Sequence, residues 1–140
     1  MKPIKIIYYP IFTILFTVIP LVNTMGQCLN AFIDQYDRFM VYENGQEYRK
    51  SEIRIKSFDV GKKYIAYLDP YNNFKLFRDG TEQMIQEINP QFYDATDEMI
   101  VYQNAGDQIY CIYNGEKNFL GQYLGEYAYG DSIIAYNDFY

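Results

Sequence analysis

Histidine and tryptophan are both absent from this sequence of 140 residues. Without histidine, the chain lacks the most common general base of enzymes and the most common side-chain ligand of transition metals. A Ser-His-Asp or Cys-His catalytic site is therefore excluded, and so is a zinc site built on imidazole. We expect neither a cofactor nor a metal site.

Basic residues are also scarce. The chain has 12 Lys and Arg against 18 Asp and Glu, a formal net charge of −6. This sign opposes binding to nucleic acids, which depends on Lys and Arg at the phosphates, and it opposes adhesion to anionic lipid. We therefore expect no nucleic-acid partner, and we interpret the excess acid as a means of keeping the chain soluble.

Aromatic residues are abundant by contrast, with 17 Tyr and 10 Phe. Both types favour the half-buried, pleated surface of a β-sheet and are uncommon in disordered segments. The length leaves room for a single domain. The composition therefore favours one all-β domain.

The first 26 residues have the plan of a secretory signal peptide. A basic start at Lys2 and Lys5 precedes an apolar run over 6–22, which is followed by the small residues Thr24 and Gly26. We predict a signal peptide helix over 1–26, cleaved after Gly26, and a mature domain over 27–140. The mature protein would then be secreted, or held in the periplasm or cell envelope.

Two other interpretations of this segment stay open. The apolar run is nearly long enough to span a bilayer, so an uncleaved segment would be the chain's only contact with a membrane, although Pro10 and Pro20 interrupt it. Alternatively, Cys28 would carry a lipid, although Gln27 is larger than the residue that usually precedes such a cysteine.

The sequence has only two cysteines, Cys28 and Cys111. Export would place them where a disulfide persists, so a Cys28–Cys111 bond is one alternative. The other alternative is that Cys111 is a small buried apolar side chain. The repeat described next favours the second, because Cys111 has the same phase as Val41 and Leu76.

An internal repeat organises the rest of the chain. The segments "FMVYENG", "FKLFRDG" and "IYCIYNG" end at glycines separated by steps of 35 residues: Gly45, Gly80 and Gly115. Asn or Asp precedes each of these glycines, a pair that readily takes the positive φ of a tight hairpin turn. We expect positive φ at all three glycines.

A second block precedes each of these segments and also ends the chain: "AFIDQY", "AYLDPY", "VYQNAG" and "AYNDFY". Asp and Asn side chains at this phase bond to nearby backbone and so reverse the chain. The predicted turn residues are Asp34, Asp69, Asn104 and Asp138. Apolar and polar residues alternate on both sides of these turns, so each period contains three to four short antiparallel strands.

These units resemble the blades of bacterial secreted β-propellers of the WD40-like kind. The resemblance covers about 29–140 and implies an antiparallel β-propeller of about three blades, hence an incomplete one. The period is shorter than in standard WD40 blades, and no Gly-His or Trp-Asp signature is present. Because the last block starts a hairpin that it does not finish, we expect the sequence to be the N-terminal fragment of a longer protein. An open stack of sheets or a sandwich-like meander is the alternative fold, and closure by several copies is the alternative to a fragment.

The aspartates are the residues that would suggest calcium binding or a pair of catalytic acids. Their spacing is too sparse for a calcium loop, and most of them recur at equivalent phases instead of forming a unique cluster. We therefore interpret the whole set as turn or solvating residues: Asp34, Asp59, Asp69, Asp94, Asp97 and Asp138.

Three tyrosines next to the Asp turns recur at one phase: Tyr36, Tyr71 and Tyr140. Turn tips at one end of a propeller form a common surface, and aromatic residues there would bind a protein or a glycan. The alternative is that they cover the edges of the sheets.

The sequence therefore favours an exported, non-enzymatic binding or scaffold module whose ligand is unknown. One alternative is a fragment of an exported propeller enzyme such as a glycoside hydrolase, which requires a unique acidic cluster. Another is a structural envelope component that assembles through its sheet edges.

Overall fold

The computed structural model describes residues 28–122 and 126–137. These ranges contain strands and turns but no helix, and so no helix that is long and apolar enough to cross a membrane. The strands are β1 (Leu29–Ile33), β2 (Phe39–Glu43), β3 (Gln46–Ser51), β4 (Ser57–Val60), β5 (Ile65–Leu68), β6 (Phe74–Arg78), β7 (Thr81–Gln86), β8 (Phe92–Ala95), β9 (Met99–Gln103), β10 (Gln108–Tyr113), β11 (Glu116–Gln122), β12 (Glu126–Tyr129) and β13 (Ile134–Asn137).

The strands form four antiparallel sheets in which neighbours in sequence pair with each other. Sheet 1 contains β1–β3, sheet 2 contains β4–β7, sheet 3 contains β8–β11 and sheet 4 contains β12–β13. The first strands of sheets 2 and 3, β4 and β8, lie against each other. The predicted all-β class, with three to four strands per period in an unclosed set of sheets, is confirmed.

The sheets pack face to face, and sheets 1 and 2 each insert one phenylalanine into the next sheet. Phe39 of sheet 1 lies 5.4 Å from Phe58 and 4.9 Å from Tyr67 of sheet 2, measured between ring centroids. Phe74 of sheet 2 repeats this contact with Tyr93 and Tyr102 of sheet 3, at 5.0 and 5.2 Å. Phe39 and Phe74 are fully buried. Full burial of such a side chain stabilises a fold by about 1.5–3 kcal/mol.

A glycine permits the closest approach between sheets 2 and 3. A Cβ atom on Gly61 would lie 1.8 Å from the carbonyl oxygen of Thr96, which is backbone and cannot move away easily. Gly61 follows β4 and Thr96 follows β8, so the two turns touch. The missing side chain of Gly61 therefore admits the neighbouring sheet.

A β-bulge recurs in sheets 1, 2 and 3, each time between the last two strands of the sheet: β2 and β3, β6 and β7, and β10 and β11. The registers leave one extra residue on each outer strand: Lys50, Ile85 and Leu120. Ile85 and Leu120 pack into the clusters between sheets, and the Lys50 amine lies 4.4 Å from the centroid of the Phe77 ring in the next sheet. The bulge therefore turns a side chain towards the following sheet and also interrupts a regular edge.

The disulfide alternative for the two cysteines is wrong, since both are free thiols. Cys28 is exposed just before β1, whereas Cys111 is buried in β10 with its Sγ 3.5 Å from Sδ of Met99. Sheet 2 separates the sheets to which they belong. Cys111 is a core side chain, as its phase indicated, and burial raises the pKa of its thiol.

Three sets of predictions lie outside the described residues. These are the signal peptide over 1–26, the turn at Asp138 and the surface tyrosine Tyr140.

Candidate ligand-binding face

Three equivalent turns, 34–37, 69–72 and 104–107, lie at one end of sheets 1, 2 and 3; we call this end the turn-tip face. In the first turn, Oδ1 of Asp34 accepts hydrogen bonds from the backbone N–H of Tyr36 and of Arg38, at 2.8 and 2.9 Å. In the second, Oδ1 of Asp69 accepts from Tyr71 and Asn73, again at 2.8 and 2.9 Å. Asp34 and Asp69 therefore hold their turns through the same pair of bonds.

Both aspartates are kept in the ionised form that these bonds need. Desolvation opposes ionisation of Asp34, but hydrogen bonds from the Arg38 side chain and from the backbone hold its pKa below the ordinary value. Desolvation opposes ionisation of Asp69 in the same way, and the Asn73 side chain, the backbone and Lys75 lower its pKa.

The two tyrosines in these turns project into solvent. Tyr36 is 66% exposed and Tyr71 is 76% exposed, more than any other aromatic residue whose burial the structure describes. The guanidinium of Arg38 lies 4.9 Å from the centroid of the Tyr36 ring. Because most of the surface of both side chains is open to solvent, their exposure favours a binding surface over a role in covering sheet edges.

The third turn has the same backbone without an aromatic side chain. Oδ1 of Asn104 accepts hydrogen bonds from Gly106 and Gln108 at 2.9 and 3.0 Å. The residue after each tyrosine, and after Gly106, has positive φ in all three turns: Asp37 (61°), Asn72 (72°) and Asp107 (59°). The turn therefore forms whether its third residue is tyrosine or glycine.

A cleft of about 490 Å³ opens on the same end of the molecule, between sheets 2 and 3. Ser57 pairs with Leu68 at the end of β5 that leads into the turn at Asp69, which places the cleft beside the turn tips. The residues that line it include aromatic rings, hydroxyl groups, amides and one carboxylate: Ser57, Phe58, Asp59, Asn89, Gln91, Phe92 and Tyr93.

Of the interpretation as turn or solvating residues, the assignment of Asp59 and Asp94 to turns is wrong. They lie on the adjacent strands β4 and β8, where their carboxyl groups hydrogen-bond to each other. Oδ2 of Asp59 also accepts the backbone N–H of Ala95 at 2.7 Å, and Oδ1 accepts that of Val60 at 3.0 Å. The repeat in the sequence could not reveal this pair. It indicated the turns that adjoin β4 and β8, and it gave no sign that the two aspartates lie on the strands themselves.

The environment displaces the pKa values of the two carboxyl groups in opposite directions. Desolvation opposes ionisation of Asp59, but the hydrogen bonds from Asp94 and from the backbone N–H groups lower its pKa. The hydrogen bond to Asp59 is the main cause that raises the pKa of Asp94, and desolvation adds to it. The Tyr129 hydroxyl donates to Asp94, and burial with this bond raises the pKa of Tyr129 to about 12. Asp59 is therefore the stronger acid of the pair, and the row of groups joins sheets 2, 3 and 4.

The repeated glycines lie at the opposite end of the sheets. Gly45, Gly80 and Gly115 have φ of 88°, 72° and 84°, and the Asx residue before each also has positive φ, which is the geometry of a tight hairpin turn. Glu43 of sheet 1 binds the second of these turns, since its Oε1 and Oε2 accept the N–H groups of Asp79 and Gly80 at 3.1 and 2.7 Å. These residues have a structural role away from the turn-tip face.

The arrangement at this face can bind a ligand through ring faces and hydrogen bonds. Among the residues of 28–122 and 126–137, no group of three or more acidic or cysteine side chains comes together in a way that would hold a metal ion. The carboxyl pair supplies a proton donor and an acceptor, but both are engaged with each other.

Comparison with known proteins gives one family. Residues 23–140 match the family described as "10-bladed beta propeller domain", and this range contains every strand described above. No curated protein matches the chain. The propeller architecture implied by the resemblance to WD40-like blades is confirmed by this match. The chain belongs to the 10-bladed beta propeller domain family.

Proposed function

We propose that this protein is an exported, non-enzymatic binding module that recognises a protein or glycan through its turn-tip face. A propeller fold hosts many unrelated activities, so the proposal rests on the site and not on the family. Turns and loops carry binding residues more often than the strands that hold them.

The observation that carries the proposal is the comparison of the three turns. Because the third turn keeps its hydrogen bonds with Gly106, the fold does not require Tyr36 or Tyr71 in the first two. Exposing such rings contributes little to stability, since the apolar area remains in water. A role outside folding accounts for them better, and contact with a partner is the role that exposed tyrosines suit.

An exported propeller enzyme such as a glycoside hydrolase is the second candidate, favoured by the Asp59–Asp94 pair. Two carboxyl groups with pKa values displaced in opposite directions are what acid–base catalysis uses. However, glycosidases separate their carboxyl groups by about 5–10 Å so that a sugar and a water fit between them. Here the two groups bond to each other directly, which suits a joint between sheets better than a catalytic pair.

Glycan and peptide arrays test the proposal, with the purified wild-type protein and the variants Tyr36→Ala and Tyr71→Ala. We expect a ligand whose binding is weakened by both substitutions. The matched control is Tyr113→Ala, because Tyr113 is 43% exposed but lies beside the turn at Gly115, at the other end of the sheets. Circular dichroism shows that each variant is folded. Binding that is equally sensitive to all three variants would contradict the proposed site.

A further inference from the structure

Tyr36 and Tyr71 are two copies of one structural position. The turns that carry them share their hydrogen bonds, and the sheets below them share the packing of Phe39 and Phe74. A ligand that contacts both rings in the same way must itself repeat along its length. We propose that the turn-tip face binds a linear, uncharged polysaccharide, with one sugar ring stacked on Tyr36 and another on Tyr71; this inference rests on the proposed function.

The groups left available at the tips favour a sugar over a peptide. A peptide that adds to a sheet needs backbone donors and acceptors that are still unpaired. At the first tip, the N–H groups of Tyr36, Asp37 and Arg38 already bond within the turn. The charged side chains are also paired, Arg38 with Asp34 and Arg54 with Asp37. What the tips offer to a ligand is therefore aromatic ring area, which matches the C–H faces of a pyranose.

The cleft beside the tips supplies the hydrogen bonds that such a ligand needs. Its amides and hydroxyl groups belong to Asn89, Gln91, Ser57 and Tyr93, and its volume of about 490 Å³ is open to solvent. The Tyr93 hydroxyl donates to Oγ of Ser57 and Nε2 of Gln91 donates to Oδ1 of Asp107, both at 2.6 Å. The cleft can therefore offer a ligand the Asn89 amide, Oε1 of Gln91 and the hydroxyl proton of Ser57.

The oxygens of Asp59 are already bonded to Asp94 and to the N–H groups of Ala95 and Val60, and in the described part of the chain no cation hydrogen-bonds to this carboxylate. Its negative charge repels carboxylate or sulfate groups, so the polysaccharide should be uncharged.

Gly106 offers a test by gain of binding. The third turn has the backbone of the first two, and a Cβ atom on Gly106 would meet only Oδ1 of Asn104, at 3.5 Å, an ordinary contact. The φ of Gly106 is not in the left-handed region, so a larger residue is not strained there. Gly106→Tyr therefore adds a third ring to the series without disturbing the turn.

Isothermal titration calorimetry with neutral oligosaccharides measures this directly. The probes are β-1,4-glucose, β-1,3-glucose, β-1,4-xylose and β-1,4-N-acetylglucosamine series, each from the monosaccharide to the hexasaccharide, with oligogalacturonate as the anionic comparison. We expect at least one neutral series to bind more tightly as its length increases, and oligogalacturonate not to bind. Tyr36→Ala and Tyr71→Ala should each raise Kd about two- to twelvefold, the range expected for one stacked ring. Gly106→Tyr should lower Kd for the longer oligosaccharides by a similar factor, and Tyr113→Ala should leave it unchanged.

The outcomes separate this inference from the proposed function. The polysaccharide inference would be overturned by a peptide ligand whose binding depends on both tyrosines. It would also be overturned if the affinity for oligosaccharides changed neither with their length nor with Gly106→Tyr. Both results would leave the proposed binding face intact. If no glycan or peptide loses affinity in the tyrosine variants, or none binds at all, both proposals are wrong.

Discussion

The contact between Glu43 and the second Asx-Gly turn yields a prediction that can be worked out from geometry. Glu43 is 5% exposed, and its two carboxylate oxygens accept the N–H groups of Asp79 and Gly80, 36 and 37 residues further along the chain. The side chain therefore joins sheet 1 to sheet 2. Glu43→Gln keeps the size of the side chain but replaces one acceptor oxygen with an NH₂ group, which must then face a backbone N–H.

The expected loss of stability follows from the change in these two hydrogen bonds. One charge-assisted hydrogen bond is lost and its buried donor is left unsatisfied, and the other bond becomes a neutral one. Together these changes should lower the free energy of unfolding by about 2–4 kcal/mol. For a domain of this size, that corresponds to a decrease in Tm of roughly 10 °C or more.

Thermal and urea denaturation followed by circular dichroism measure the change. Glu47→Gln is the matched control, because Glu47 is an exposed residue of β3 and the same substitution there should change stability by less than about 0.5 kcal/mol. If Glu43→Gln and Glu47→Gln have the same stability, the contact does not hold the two sheets together and the reasoning is refuted.

Further predictions concern the glycines, the carboxyl pair and the N-terminus. Three glycines with positive φ close Asx-Gly turns: Gly45, Gly80 and Gly115. Replacing any one of them with Ala should lower the free energy of unfolding by about 1 kcal/mol or more, as measured by urea denaturation. Gly61→Ala should cost more than any of these in the same assay, since its Cβ would collide with the carbonyl oxygen of Thr96, and an equal or smaller loss would argue against that close approach. Because the pKa of Asp94 is raised in the folded state, the wild type should lose stability as the pH rises through this raised pKa. Asp94→Asn cannot ionise and should not show this loss. Parallel stability curves of the two proteins from acidic to neutral pH would rule out proton sharing with Asp59. N-terminal sequencing of exported protein should begin at Gln27, and an intact first methionine on membrane-bound protein would contradict cleavage.

The sequence by itself determined the fold class, the period and the turns, because these depend on interactions between residues close in the chain. Alternation of apolar and polar residues sets the strands, and Asx side chains bond to backbone two and four residues away, as at Asp34. Asn-Gly and Asp-Gly pairs fix positive φ locally. The repeat of 35 residues then implied sheets of one kind, and the position of Cys111 within it indicated a core residue.

Only the tertiary structure decided which residues join one sheet to the next. Asp59 meets Asp94, Glu43 meets Gly80 and Gly61 meets Thr96 across about one period, and no local pattern marks these pairs. They form because one sheet stacks on its neighbour in a fixed register, and that register results from the packing of side chains such as Phe74 between sheets. The same packing places the cleft beside the turn tips. The sequence thus identified Tyr36 and Tyr71 as surface residues, while the structure showed that they share a face with the cleft and that the turn at Gly106 forms without a tyrosine.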